Sequence, residues 1–132
     1  MQYLLDTDTC IGLLRNKTQI VQQLSMKKPT DCAISTITAC ELYTGVEKCA
    51  DPARERPKVE LLLKTIRQMP FDAASGKEAA RVRAALESEG QPIGPYDTLL
   101  AGQAIATGLT LATSNTHEFS RVEGLSIEDW RQ

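Results

Sequence analysis

Histidine is almost missing from this chain: His117 is the only one in 132 residues. That removes the usual histidine-containing zinc sets, and a lone histidine with no geometry to support it is a poor general base. Cysteine occurs four times, as Cys10, Cys32, Cys40 and Cys49. The intervals between them contain no C-x-x-C pair, so neither a zinc site nor a redox dithiol is indicated. They read as small buried apolar residues in a reducing compartment. Aromatics make up 5% of the chain, too few for a platform on which successive bases stack. A basic excess is lacking too. The formal net charge is -2, which argues against a generic polyanion binder but leaves room for acids that a bound cation neutralises. No apolar run approaches membrane-spanning length, and the N-terminus turns acidic at Asp6, unlike a secretory leader. The expectation is a soluble, cytoplasmic protein.

What is present is ordinary globular composition: 42% apolar, 24% charged, with no linker and no internal repeat. The length fits a single domain over residues 1–132. Tyr3-Leu4-Leu5 is a short apolar run that reads as a buried strand. Helices are expected over 9–14, 18–26, 37–48 (with Ile37, Cys40 and Leu42 toward the core), 53–68, 73–89 and 98–107. Gly90 and Gly108 stop the last two. Further strands are expected over 32–35, 69–71, 109–112 and 125–127. Strands alternating with helices predict an α/β fold with a parallel sheet covered on both faces. Ligands of such sheets bind beyond the carboxyl ends of the strands.

Acids fall at that edge. Asp6 directly follows the first strand, with Asp8 two residues on. Glu41 lies in the helix after the second strand, and Asp97 opens the helix after the Gly/Pro loop 91–95. Asn115 and Glu118 follow the strand 109–112. Mg²⁺ and Mn²⁺ prefer oxygen ligands of this kind, and a metal so held polarises a phosphoryl oxygen and activates water. Helix capping is the competing explanation. Asp8 can cap 9–14, Thr38-x-x-Glu41 fits a capping box, Asp97 can cap the helix from Thr98, and Asn115-x-x-Glu118 fits a capping pair. Spacing alone leaves both explanations open.

The ordered set of motifs resembles PIN-domain nucleases, in their VapC toxin branch. The strand and acid of Tyr3-Leu4-Leu5-Asp6-Thr7-Asp8 are similar to that family's opening. Ile34 to Gly45, which carries Glu41, resembles its second motif, and Pro92 to Ala101, which carries Asp97, its third. The ending Thr113-Ser114-Asn115-Thr116-His117-Glu118-Phe119 through Trp130 is similar as well. The resemblance implies a three-layer α/β/α fold with a central parallel sheet. It implies a Mg²⁺- or Mn²⁺-dependent endoribonuclease with tRNA among its targets, neutralised by a VapB-type antitoxin, and a homodimer. Asp6, Glu41 and Asp97 match the catalytic, metal-binding acids. The family commonly places a fourth acid near Asn115. Here a neutral amide stands there, so Asn115, Glu118 and Asp8 are the additional candidates.

Two other readings compete. Asp6-Thr7-Asp8 fits the D-x-D opening of haloacid-dehalogenase-like phosphatases, with Asp6 as nucleophile, although no later G-D-x-x-x-D pair is found. In a non-catalytic interaction module, every acid would be a cap. Lys27-Lys28 and Arg54 to Lys58 are the basic segments that would meet phosphates, unless they are simply solvated.

Overall fold

The computed structural model describes all residues, Met1–Gln132. Its strands are β1 (Tyr3–Leu5), β2 (Cys32–Ser35), β3 (Arg67–Met69), β4 (Thr110–Ala112) and β5 (Ile127–Glu128). They form one wholly parallel sheet in the order β3-β2-β1-β4-β5. Helices α1 (Thr7–Leu14), α2 (Thr18–Ser25), α3 (Thr36–Lys48), α4 (Pro52–Thr65), α5 (Ala73–Ser88), α6 (Pro95–Thr107) and α7 (Thr116–Phe119) connect the strands.

The central strand shows how the layers arise. Side chains alternate across a strand, so Leu4 and Leu5, both fully buried, enter different cores. Leu5 and Ile34 pack with Cys10, Ile20, Leu42, Val46, Val59 and Leu63 from α1 to α4. Leu4, Ala33 and Leu111 pack with Val82, Leu86, Leu100, Ala104 and Phe119 from α5 to α7. Full burial of each leucine contributes about 1.5–3 kcal/mol. The result is the expected α/β/α sandwich. No helix is long and apolar enough to cross a membrane.

Element types follow the sequence expectation except for the short helix α7 at Thr116–Phe119, which is additional; several boundaries and one face also differ. Helix α4 ends at Thr65, because Ile66 turns extended and Arg67–Met69 pairs with Ala33–Ser35. The third strand therefore lies two residues before the expected 69–71. The last strand lies at Ile127–Glu128, where it pairs with Leu111 and Ala112. Cys40 is exposed and Cys49 half-buried, against the expectation of four buried thiols; only Cys10 and Cys32 are in the core. On α3 the inward face runs through Thr38, Ala39, Leu42 and Val46, spaced by three or four residues as a helix requires. Cys40 falls outside that stripe.

Helices α5 and α6 touch at Gly102. A methyl group there would lie 2.5 Å from Ala79 Cα and 2.6 Å from its Cβ, so only glycine permits this approach. Gly45 on α3 has open space around the same position. Helical Gly→Ala substitution ordinarily gains about 1 kcal/mol, whereas overpacking costs about 1–3 kcal/mol or more. Urea unfolding is therefore expected to show Gly45→Ala stabilised by about 1 kcal/mol and Gly102→Ala destabilised by about 2 kcal/mol. Equal effects at the two sites would refute the close α5–α6 contact.

Candidate active site

Chain order places the switch of sheet direction at β1. From β1 the chain builds outward to β2 and β3, then returns on the other side to β4 and β5. Crevices form where strand order reverses in this way, at the carboxyl ends of the flanking strands. The residues that leave β1 and β4 at that point are Asp6 and Thr113.

Asp6 is 2% exposed. Its backbone N–H donates to Ala112 O at 3.0 Å, and its Oδ1 accepts the Thr9 N–H at 2.8 Å. It is thus the N-cap of α1, the place the sequence reading gave to Asp8. The helix begins at Thr7, two residues early, because Asp6 ends the strand and caps the helix in one step. Burial raises its carboxyl pKa from 3.8 to about 6, while hydrogen bonds involving Thr113 and Thr9 pull it partly back. Repulsion from Asp8 adds to the rise. Neither threonine was singled out from the sequence. Their signal was present only as hydroxyls beside Asp6 and immediately after a strand.

Glu41 does not close a capping box. Ser35 caps α3 by accepting the Ile37 N–H at 3.0 Å, so Thr38 and Glu41 lie inside the helix. Glu41 Oε1 instead accepts the Thr7 hydroxyl at 2.6 Å, a bond that crosses from α1 to α3. Asp97 does not cap α6 either. Gly94 is the N-cap residue and Pro95 opens the helix, as proline does well at that position. This leaves the half-buried Asp97 carboxylate facing other acids. Its pKa rises from 3.8 to about 6, chiefly through burial and then through repulsion from Glu118, Asp8 and Glu41.

Asn115 sits at the N-cap position of α7 without making a cap hydrogen bond. Its Nδ2 donates to Glu118 Oε2 at 3.0 Å and to Asp97 Oδ2 at 3.4 Å. It bridges two acids through its side-chain nitrogen. The caps that sequence spacing suggested for Glu41, Asp97 and Glu118 are therefore absent.

Asp6, Asp8, Glu41, Asp97 and Glu118 thus gather around one sheet edge, and none of them enters an ion pair. The carboxylates that do are Asp31, Glu47, Glu55, Glu78, Glu87, Glu128 and Asp129. No three of the edge acids stand close enough to form a ready-made all-protein metal cage. The donor set does fit a hard divalent ion. It is all oxygen, it carries an uncompensated negative charge, and Mg²⁺ keeps several waters between itself and most of its carboxylates.

The charge has a stability consequence. The folded pKa of Asp6 lies above its unfolded value, so the fold favours the protonated form. Stability from this group is full below about pH 4 and is lost as pH rises through about 6. Each pH unit is worth about 1.4 kcal/mol, which bounds the effect near 3 kcal/mol. Asparagine keeps the capping oxygen. In urea unfolding with EDTA present, Asp6→Asn is expected to match wild type near pH 4 and to become the more stable protein by pH 7.5. A destabilised Asp6→Asn at pH 7.5 would show that the carboxylate holds the fold together and is not a strained group.

Residues 3–125 match the family model for the PIN domain. The chain is 37% identical over 130 residues to a protein of Shigella flexneri named tRNA(fMet)-specific endonuclease VapC, covering 98% of both chains. It is 33% identical to Ribonuclease VapC2 of Rickettsia felis, again over 98% of each. Its structure superposes on the crystal structure of DNA-bound VapBC from Salmonella typhimurium with a TM-score of 0.93, at 36% identity and 98% coverage of both chains. The VapBC2 structure from Rickettsia felis, bound to a promoter DNA fragment, gives a TM-score of 0.90 at 32% identity. With matched residues running from β1 to the last loop, and identity sustained over the full length, the chain belongs to the PIN-domain family, in its VapC group.

Proposed function

We propose that this protein is a divalent-metal-dependent endoribonuclease toxin, and that Asp6, Glu41 and Asp97 are its catalytic metal-binding acids. One observation carries the site assignment: five carboxylates are gathered around the sheet's switch point, and none of them has a cationic partner. Relatives named as VapC ribonucleases support the activity, and tRNA is the substrate class that the name of the Shigella flexneri relative suggests.

Asp6 after β1, Glu41 on α3 and Asp97 on α6 would hold the ion. Mg²⁺ or Mn²⁺ would polarise the scissile phosphodiester and lower the pKa of a bound water. The protein's own part is to present ionised oxygens in fixed positions. Thr7 fixes Glu41 by donating its hydroxyl, and Thr9 fixes Asp6 through the helix cap. Asn115 holds Asp97 and Glu118 side by side. In this reading Glu118 supplies the fourth carboxylate, Asn115 orients it, and Asp8 shapes the field at the outer rim. A VapB-type antitoxin is its protein partner, as the VapBC complexes of the structural neighbours suggest; a second copy of the chain, which the family resemblance implies, completes the proposed assembly, and the cytoplasm is its compartment.

The phosphatase reading needs an open nucleophile at Asp6. That carboxylate is 2% exposed and bonded to Thr9. A module whose acids are all caps does not describe Glu41, Asp97 or Glu118 as they stand.

Loss of an orienting group around a metal typically costs 10–100-fold, and loss of a ligand costs at least as much. Asp97→Asn and Asp6→Asn are each expected to lower RNA cleavage at least about a hundredfold with circular dichroism unchanged. Cleavage by wild type is expected to stop in EDTA and to return with Mg²⁺ or Mn²⁺. Calcium, which demands more ligands at longer range, is not expected to restore it. An identical cleavage pattern from wild type and Asp97→Asn would sink the assignment.

A further inference from the structure

Within the basic segments conspicuous in the sequence, Lys27, Arg56 and Lys58 are already engaged. Lys27 lies over the rings of Tyr3 and Trp130, 5.1 and 4.8 Å from their centroids, and pairs with Glu128 at 3.5 Å. Arg56 and Lys58 pair with Glu47 and Glu55. A different set of cations converges beside the carboxylate edge. A groove of about 760 Å³ runs between α1, α2 and the two loops that carry Ser114 and Arg131. Arg15, Lys17 and Arg131 line it, and Ile11 and Ile20 are its only apolar lining side chains. Asp8 is its one acid and is also one of the charges that raise the Asp97 pKa. The groove therefore opens onto the candidate active site.

Arg15 and Lys17 make no ion pair, and their side chains make no hydrogen bond within the protein. Their backbone is nonetheless fixed. Asn16, at φ 54°, ends α1 in the left-handed conformation. The Lys17 N–H donates to Gly12 O at 2.9 Å and the Asn16 N–H to Leu13 O at 3.1 Å, the bonding of a Schellman turn. Gly12 has no side chain, which lets Ile20 of α2 press onto α1 beside it. Arg131 arrives from the far end of the chain. It is clamped by Asp129 Oδ2 at 2.8 Å and by Ser114 O at 3.1 Å. Attraction to a helix C-terminus favours a cation near residue 15, and Asp129 already pairs with Arg131, so Arg15 and Lys17 are the two cations of the groove whose charge the protein leaves unpartnered.

We propose that this groove binds the sugar–phosphate backbone of the RNA substrate and leads it past Asp8 to the carboxylate edge. The proposal rests on the ribonuclease reading above. Phosphate contacts position a strand without reading its sequence, and each neutralised phosphate adds to the salt dependence of binding. Arg15 and Lys17 are then binding residues that hold substrate in register with the acids.

The test compares wild type with Arg15→Gln/Lys17→Gln, and with Arg81→Gln/Arg83→Gln on α5, across the sheet. The probe is a fluorescently labelled RNA stem-loop, read by anisotropy in EDTA over a salt series and by cleavage kinetics in Mn²⁺. The groove pair is expected to bind about tenfold more weakly, with KM raised to match. Its log–log salt slope should be shallower by about 1.4, at roughly 0.7 per cation removed. The α5 pair should behave as wild type. If wild type cuts RNA while the groove pair keeps its affinity, KM and salt slope, the groove proposal is overturned and the nuclease reading stands. If wild type cuts no RNA with Mn²⁺ or Mg²⁺, the reading falls and takes the proposal with it. Unchanged RNA affinity with weakened antitoxin binding would assign the groove to the protein partner and also overturn the proposal.

Discussion

A buried carboxylate without a cation is the constraint on which the rest of this molecule turns. Asp6 sits where β1 ends, where β4 passes alongside and where α1 begins. Its backbone and its side chain serve all three: the N–H continues the ladder to Ala112 and Oδ1 caps α1. Removing a carboxylate from water is costly, and the structure offsets only part of that cost with hydrogen bonds. What remains is a site whose electrostatics are incomplete in the protein alone. Asp97, displaced in the same direction by burial and three neighbouring acids, shows that the deficit belongs to the whole edge.

The fold delivers these acids through unrelated local rules. Serine caps α3 and so releases Glu41 from the capping box its spacing suggests. Proline and glycine open α6 and so release Asp97. In each case a different residue satisfies the helix terminus, and the acid is left for other work. That arrangement separates the two explanations that sequence spacing could not. Caps and metal ligands both favour acids near helix starts, because the first-turn N–H groups and a cation both attract negative charge. Only the positions of the true caps tell them apart.

Much of the fold was legible because its signals are local and periodic. Leu4-Leu5, the Gly90 and Gly108 stops and the helical stripe at Val59, Leu62 and Leu63 each reflect a short-range rule. The misplaced strand at Arg67–Met69 reflects a long-range one. That segment is polar and only its pairing with β2 makes it a strand, which no local pattern encodes. Cys40 is exposed because the inward stripe of α3 runs through Thr38, Ala39, Leu42 and Val46, and Thr38 and Ala39 in it carry little apolar signal. The three principal acids were legible from their motifs. Thr7, Thr9 and Thr113 were not, because a threonine after a strand carries no distinctive signal until its hydrogen-bond partner is known. Asn115 was legible as a departure but not as a bridge, since its use of nitrogen depends on Asp97, which arrives from another helix.

The net charge of -2 is unevenly distributed over this geometry. Five of the 17 acids lie at the one edge; the remainder of the chain carries a formal +3. An average over the sequence hides a polarised surface, with a negative centre and a cationic groove beside it. Without a metal, that centre repels a polyanion even as the groove attracts it. A divalent ion at the edge changes the sign of the argument locally, because it cancels the repulsion where the two features meet at Asp8. In the proposed reading, metal binding and substrate binding would then reinforce one another without any change of shape. In that reading the coupling would rest on residues the sequence spreads out: Asp8 on α1, Arg15 and Lys17 just beyond it, and Arg131 from the other end of the chain.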